Sequence, residues 1–136
     1  MTRINVINPQ ELSDQWLLAE YRELPRVIKQ NISIADAPEK YKLGAGHVKW
    51  AKKHAYWTMD RYFRICDEME HRGFKINNPP MDLYHLWNGK GETYQVTWRD
   101  IVINVKRLRA KYRLKPSLYR WTKRDVPEWL KDIERV

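Results

Sequence analysis

The chemistry on offer in this sequence sits at two points, the opening MTR and the stretch EYRELPRV at residues 20–27. In the second, one carboxylate, Glu23, stands between Arg22 and Arg26. Such a triplet is ordinarily an exposed ion pair of little consequence. It is also how an acid/base group is dressed when phosphates must be held on either side of it. The opening supplies a candidate nucleophile. Threonine is small enough for the initiator methionine to be removed before it, which leaves Thr2 with a free α-amine. Such an amine has a reference pKa of about 7.7–8.0, against about 10.4 for lysine. Roughly a tenth of it is neutral at pH 7, and the like charges of Arg3, Arg22 and Arg26 favour the neutral form further. A neutral amine attacks the anomeric carbon of a sugar and forms an imine. A carboxylate beside it stabilises the cationic sugar, helps open its ring and moves the proton of a β-elimination. Met-Thr openings are commonplace, so Thr2 carries weight only together with Glu23. With Met1 retained, its nitrogen is an amide and the chemistry is lost.

Three helical segments must position these groups. The first opens at NPQE, where Asn8 caps, Pro9 suits the first helical position and Glu11 closes a capping box. Its apolar stripe runs through Leu12, Trp16, Ala19 and Val27, and the residue that fills the gap at helical spacing is Glu23. That spacing puts the carboxylate on the inward face with Arg22 and Arg26 as a basic edge beside it, and Pro25 kinks or ends the helix. The second segment runs from Val48 to His71, with Ala55, Met59, Tyr62, Cys66 and Met69 in its stripe and Gly73 as its stop. The third begins at Thr97, which with Asp100 forms a capping box, and carries Ile101, Val105, Leu108 and Tyr112. No period of two is sustained. The expected fold is all-α, a compact single domain over residues 1–136 with three main helices. Long irregular connections at 31–47 and 77–94 join them, and an aromatic and basic tail follows.

The balance of 26 Lys+Arg against 17 Asp+Glu, a formal charge of +9, favours a polyanionic partner, nucleic acid or an anionic membrane surface. Basic residues crowd the span from Arg99 to Lys115, where Arg107 and Lys111 lie one turn apart. Phosphate contact and a solvated face both account for them. The tail KPSLYRWTKRDVPEWL interleaves Tyr119, Arg120, Trp121, Lys123 and Arg124, which suits stacking on exposed bases. Core packing of Trp121 and Trp129 is the competing reading. His47, His54, His71 and His85 fall at no zinc-binding spacing, and LGAGH lacks the Lys-Ser/Thr of a phosphate loop. Neither a metal nor a cofactor is expected. The single cysteine, Cys66, excludes an internal disulfide and suits a reducing compartment. No signal-peptide stretch or membrane-length apolar run is present, so a soluble, cytosol-type protein is expected.

MTRIN, followed by EL, DQ, L and AEYRELPRV, closely resembles the pyrimidine dimer DNA glycosylase and abasic-site lyase family typified by the endonuclease V of T-even phages. The likeness is near-continuous over residues 1–27 and resumes at LGAGHV (43–48) and RGFKI (72–76). It continues more thinly at 107–111 and 115–119. The resemblance implies a compact three-helix fold, the Thr2 amine as nucleophile and Glu23 as the catalytic carboxylate. It implies Arg3, Arg22 and Arg26 around the lesion, Gln15 as a further DNA contact, and Arg107 and Lys111 on the backbone. The implied reaction cuts the glycosidic bond of the 5′ pyrimidine of a cyclobutane dimer. It then nicks the strand by β-elimination without a metal, in a bent duplex with a base flipped out opposite the dimer. Trp16 stands where the family has a histidine beside the active site, either as a DNA contact or as a core-filling ring. Tyr119, Arg120 and Trp121 stand in for a longer aromatic cluster linked to lesion recognition. The implied partner is double-stranded DNA with damaged pyrimidines, in the cytoplasm at the nucleoid, with no membrane and no obligate protein partner. The same chemistry on another damaged base, and a non-catalytic DNA-binding protein, are the alternatives.

Overall fold

The computed structural model of the chain describes residues 4–134, with side chains as far as Lys131. The first long helix, α1 (Asp14–Lys29), is capped by Ser13, whose hydroxyl accepts the Trp16 N–H at 3.1 Å. The NPQE stretch is not its start. It folds as a separate 3-10 turn, Pro9–Glu11, capped by Asn8, and the chain then straightens at Leu12. Leu12 is fully buried in that extended conformation, and continuing the helix would have carried it off its site. Nor does Pro25 end α1. It removes one main-chain bond, but Leu24, Pro25, Val27 and Ile28 are all buried, so packing holds the helix to Lys29.

The second segment is two helices, α2 (His47–Lys53) and α3 (Ala55–His71), divided at His54. The break has a visible cause. In an unbroken helix the Trp57 N–H would bond the Lys53 carbonyl. Here the Glu92 main chain is inserted between them, its N–H donating to Lys53 O at 2.9 Å and its carbonyl accepting from Trp57 N at 3.4 Å. Gly91 (φ +133°) lets that segment approach, since a Cβ there would lie 2.6 Å from the Ala55 Cβ. Gly73 (φ +87°) ends α3 as expected, with Phe74 N bonded to Met69 O. The connection at 77–94 is not wholly irregular, because it contains α4 (Pro80–Leu86).

Helix α5 (Trp98–Leu114) begins with the expected capping box, both bonds between Thr97 and Asp100 being present. A short α6 (Glu128–Glu134) closes the tail. The three long helices are α1, α3 and α5, and no strand occurs among the described residues, so the fold is all-α. Leu17, Leu24 and Val27 of α1 meet Met59, Tyr62, Ile65 and Met69 of α3 in one core, which α5 joins through Leu108 and Tyr112. Among the described residues no helix is long and apolar enough to cross a membrane.

Candidate active site and nucleic-acid interface

At about 100° per residue, Gln15, Ala19, Arg22, Arg26 and Lys29 fall on one face of α1. All but the half-buried Gln15 are exposed. The opposite face, Leu17, Glu20, Leu24, Val27 and Ile28, is buried. Glu23 lies on the seam between them. Its side chain is 16 % exposed, with Arg26 Nη1 3.8 Å from its Oε2. The inward placement expected of Glu23 therefore needs correction, as does that of Ala19. The carboxylate that points into the protein is Glu20, fully buried in the unbroken stripe Leu17, Glu20, Leu24, Val27. The Trp16–Ala19 spacing leads around the helix instead.

Glu20 is held by Arg61 of α3, through Nε at 2.7 Å and Nη2 at 3.1 Å. This pair belongs to a polar clamp on the N-terminal arm, residues 4–7. Asn104 of α5 accepts the N–H groups of Val6 and Ile7 (2.8 and 3.3 Å) and donates to the Asn5 side chain at 2.7 Å. Asn5 in turn donates to Glu20 at 3.0 Å, and Arg61 donates to Ile7 O at 2.6 Å. Ile4 is fastened at both ends, its N–H on His47 Nε2 (3.1 Å) and its carbonyl on the Tyr41 hydroxyl (2.9 Å). His47 Nδ1 faces Lys42 O at 2.8 Å, so a neutral ring carrying its proton on Nδ1 satisfies both bonds. The glycines of LGAGH serve this contact. Gly46 (φ +88°) caps α2 with the Pro38 ring 3.0 Å from where a Cβ would stand, and His47 follows at once. Thr2 and Arg3, assigned roles above, lie outside the described residues.

The tail docks on the start of α1. Arg120 N donates to Gln15 Oε1 at 3.1 Å, and Arg120 O accepts from Asp14 N at 2.7 Å. Trp16 is buried, with the Tyr119 ring centroid 4.7 Å and the Trp121 centroid 6.1 Å away. Trp121 also donates to Glu11 O, and Trp129 to the Glu11 carboxylate. Of the two readings left open for Trp16 and Trp121, the structure takes packing. Tyr119 joins them, and Arg120 alone of the tail positions Tyr119, Arg120 and Trp121 is exposed. Tyr112 packs on both Tyr119 and Trp121, which ties the end of α5 to the same cluster.

On α5, Arg107 is exposed and Lys111 half-buried. Burial and the neighbouring Arg107 guanidinium push the Lys111 ammonium below its ordinary pKa, a strain that an anion would relieve. Arg109 and Arg99 serve structure, bonding Trp129 O and Tyr41 O. One grouping sequence spacing could not disclose is Glu39, His54 and Glu92, whose donor atoms lie within 4.8 Å of one another. The Lys53 ammonium already pairs with both carboxylates, so it stands where a cation would. Cys66 is buried, and burial raises its thiol to about 11, which leaves it a packing residue.

Sequence reasoning missed Asn5, Glu20, Tyr41, His47, Arg61 and Asn104. Two of these left a signal, since Glu20 fills the Leu17–Leu24 stripe and Asn104 sits between Ile101 and Leu108 at helical steps. The family model for pyrimidine dimer DNA glycosylases matches residues 1–82, which takes in the anchored arm, α1 with its arginine face, and α2 and α3. With more than half of its length matched, the chain belongs to the pyrimidine dimer DNA glycosylase family.

Proposed function

We propose that this DNA repair glycosylase works through a covalent imine formed by the α-amine of Thr2, exposed by removal of Met1, with Glu23 as its acid/base partner. On this reading the amine attacks C1′ of the 5′ nucleotide of a cyclobutane pyrimidine dimer. The glycosidic bond breaks, and the base takes its electron pair and a proton. The Thr2 nitrogen gives up a proton, the C1′–O4′ bond then opens with O4′ protonated to a hydroxyl through Glu23, and a protonated imine links Thr2 to C1′. Glu23 then removes a C2′ proton, and β-elimination expels the 3′ phosphate. No step calls for a metal.

The carrying observation is the place of Glu23. It sits on the seam where the arginine face of α1 meets the buried face, three residues from Glu20, which holds the arm through Asn5. Residues three apart on a helix are neighbours, with Cβ atoms about 5–6 Å apart. In the sequence Thr2 precedes Ile4 by two residues, and Ile4 is anchored on His47. Arg22 and Arg26 flank Glu23 on the exposed side, where they suit the phosphates of a damaged strand. The test mixes the Met1-processed protein with a duplex carrying one cis-syn thymine dimer, in EDTA, with and without borohydride. A nick without borohydride and a covalent adduct with it are expected, and Glu23→Gln should abolish the nick while DNA binding persists. Full nicking by that variant refutes the mechanism. Because the tail aromatics pack inward, an abasic and a ring-opened purine duplex belong in the same series, and an adduct on these alone moves the lesion, not the chemistry.

A further inference from the structure

Past the last turn of α1, a groove of 640 Å³ opens between that helix end and the loop after α4. Lys29, Lys52 and Lys90 line it together with Ile34, Leu86 and Trp87, and none of its lining residues is acidic. We propose that this groove seats the sugar-phosphate backbone of the duplex flanking the lesion on one side only, with Lys29 and Lys90 as phosphate contacts. The inference rests on reading the arginine face of α1 as the face turned to DNA.

Continuity is the first support. Lys29 follows Arg26 by three residues on the same exposed face, so the cationic track Arg22, Arg26, Lys29 runs directly into the groove. Fixed geometry is the second. The loop carrying Lys90 is tied down by Trp87 Nε1 on Lys90 O (2.9 Å) and by Lys90 N on Asn88 Oδ1 (2.8 Å). The insertion of Glu92 at the α2–α3 break then locks its far end. Lys52 donates one proton to Ile28 O at 2.7 Å, and an ammonium has two more to give. Burial lowers its pKa, so an arriving anion is favoured there. Leu86, 71 % exposed, and Ile34, 42 %, offer apolar cover for deoxyribose. The groove joins Lys29 and Lys52, inside the matched residues 1–82, to a wall from Leu86 to Gly91 beyond them.

The experiment measures affinity against salt for the full chain and for Lys29→Ala/Lys90→Ala, on dimer-containing and intact duplexes. Both side chains are exposed and make no bond the core needs, so the variant folds. Each lost phosphate contact lowers the slope of log affinity against log salt by about 0.9. A drop of about 1.8 is expected on both duplexes alike. Trimming the flank base pair by base pair should close the gap between the two proteins when one side is shortened and not the other. An unchanged slope overturns the proposal, as does a gap that closes from both sides, and a groove that takes an acidic peptide with no effect on DNA would give the first result. These outcomes leave the imine chemistry standing, because the borohydride adduct of the unsubstituted protein reads that separately.

Discussion

The Glu20–Arg61 pair allows folding and positioning to be separated. Glu20 has no exposed surface and the Arg61 side chain is 5 % exposed. Taking away one partner leaves the other charge buried, and such losses cost about 3–5 kcal/mol. Arg61→Met and Glu20→Leu should each lower stability by that much, or about 10–20 °C in Tm for a chain of this size. The double variant buries no charge. It strands only Ile7 O and the Asn5 amide, about 1–3 kcal/mol each before any compensation from removing the ion pair's desolvation. Urea unfolding followed by tryptophan fluorescence should therefore show a coupling on the order of 3 kcal/mol between the sites. Simple additivity would refute the account of the pair. Function supplies the second readout. The double variant folds yet loses the two bonds by which the pair fixes the arm, and a misplacement of about 1 Å can cost about 10²-fold in rate. Single-turnover nicking at saturating DNA should slow at least tenfold while Kd holds. A folded double variant with full rate would mean that the arm needs no such clamp.

Acid should unfold the protein partly through Glu68. Burial alone would raise its pKa, but the bonds from Arg124 and Arg72 outweigh that and hold it below the ordinary 4.5. Its folded value lying below its unfolded one, the stability it contributes is present above pH 4.5 and is lost as pH falls through the folded value. Glu68→Gln should flatten the fall in urea midpoint over that range. Gly91→Ala places a Cβ 2.6 Å from the Ala55 Cβ at a φ of +133°, and should cost about 2–4 kcal/mol in thermal unfolding. A loss under about 1 kcal/mol would mean that the Gly91–Glu92 segment is not wedged at the helix break. Trp16→Ala should cost about 3–5 kcal/mol. Trp16→Phe should cost far less, because the buried indole nitrogen has no hydrogen-bond partner among the described residues to lose. Equal losses in denaturant melts would show that the site needs the whole indole and not only an aromatic ring.

The exposed α1 face was legible without coordinates, since Arg22 and Arg26 are one turn apart and surface cations need no partner to declare their side. The stop at Gly73 and the capping box at Thr97 were legible for a similar reason, each being decided within a few residues of chain. The all-α class followed from periodicity alone. Errors arose where distant segments meet. A local pattern joined α2 to α3, and only the Glu92 main chain, arriving from about 35 residues on, could divide them. The same holds for the tail aromatics, whose composition suits bases and packing equally until Trp16 is seen to receive them. Glu23 and Glu20 differ by less than one turn, and the carboxylate given the interior was the wrong one of the two. Which of them is buried depends on Arg61, and no spacing on α1 encodes a guanidinium on another helix. By itself the sequence determined the all-α class, most of the long helices and the basic face of α1. The tertiary structure decided which polar groups go inside, because burying a charge is tolerable only where a partner from elsewhere in the chain is waiting for it.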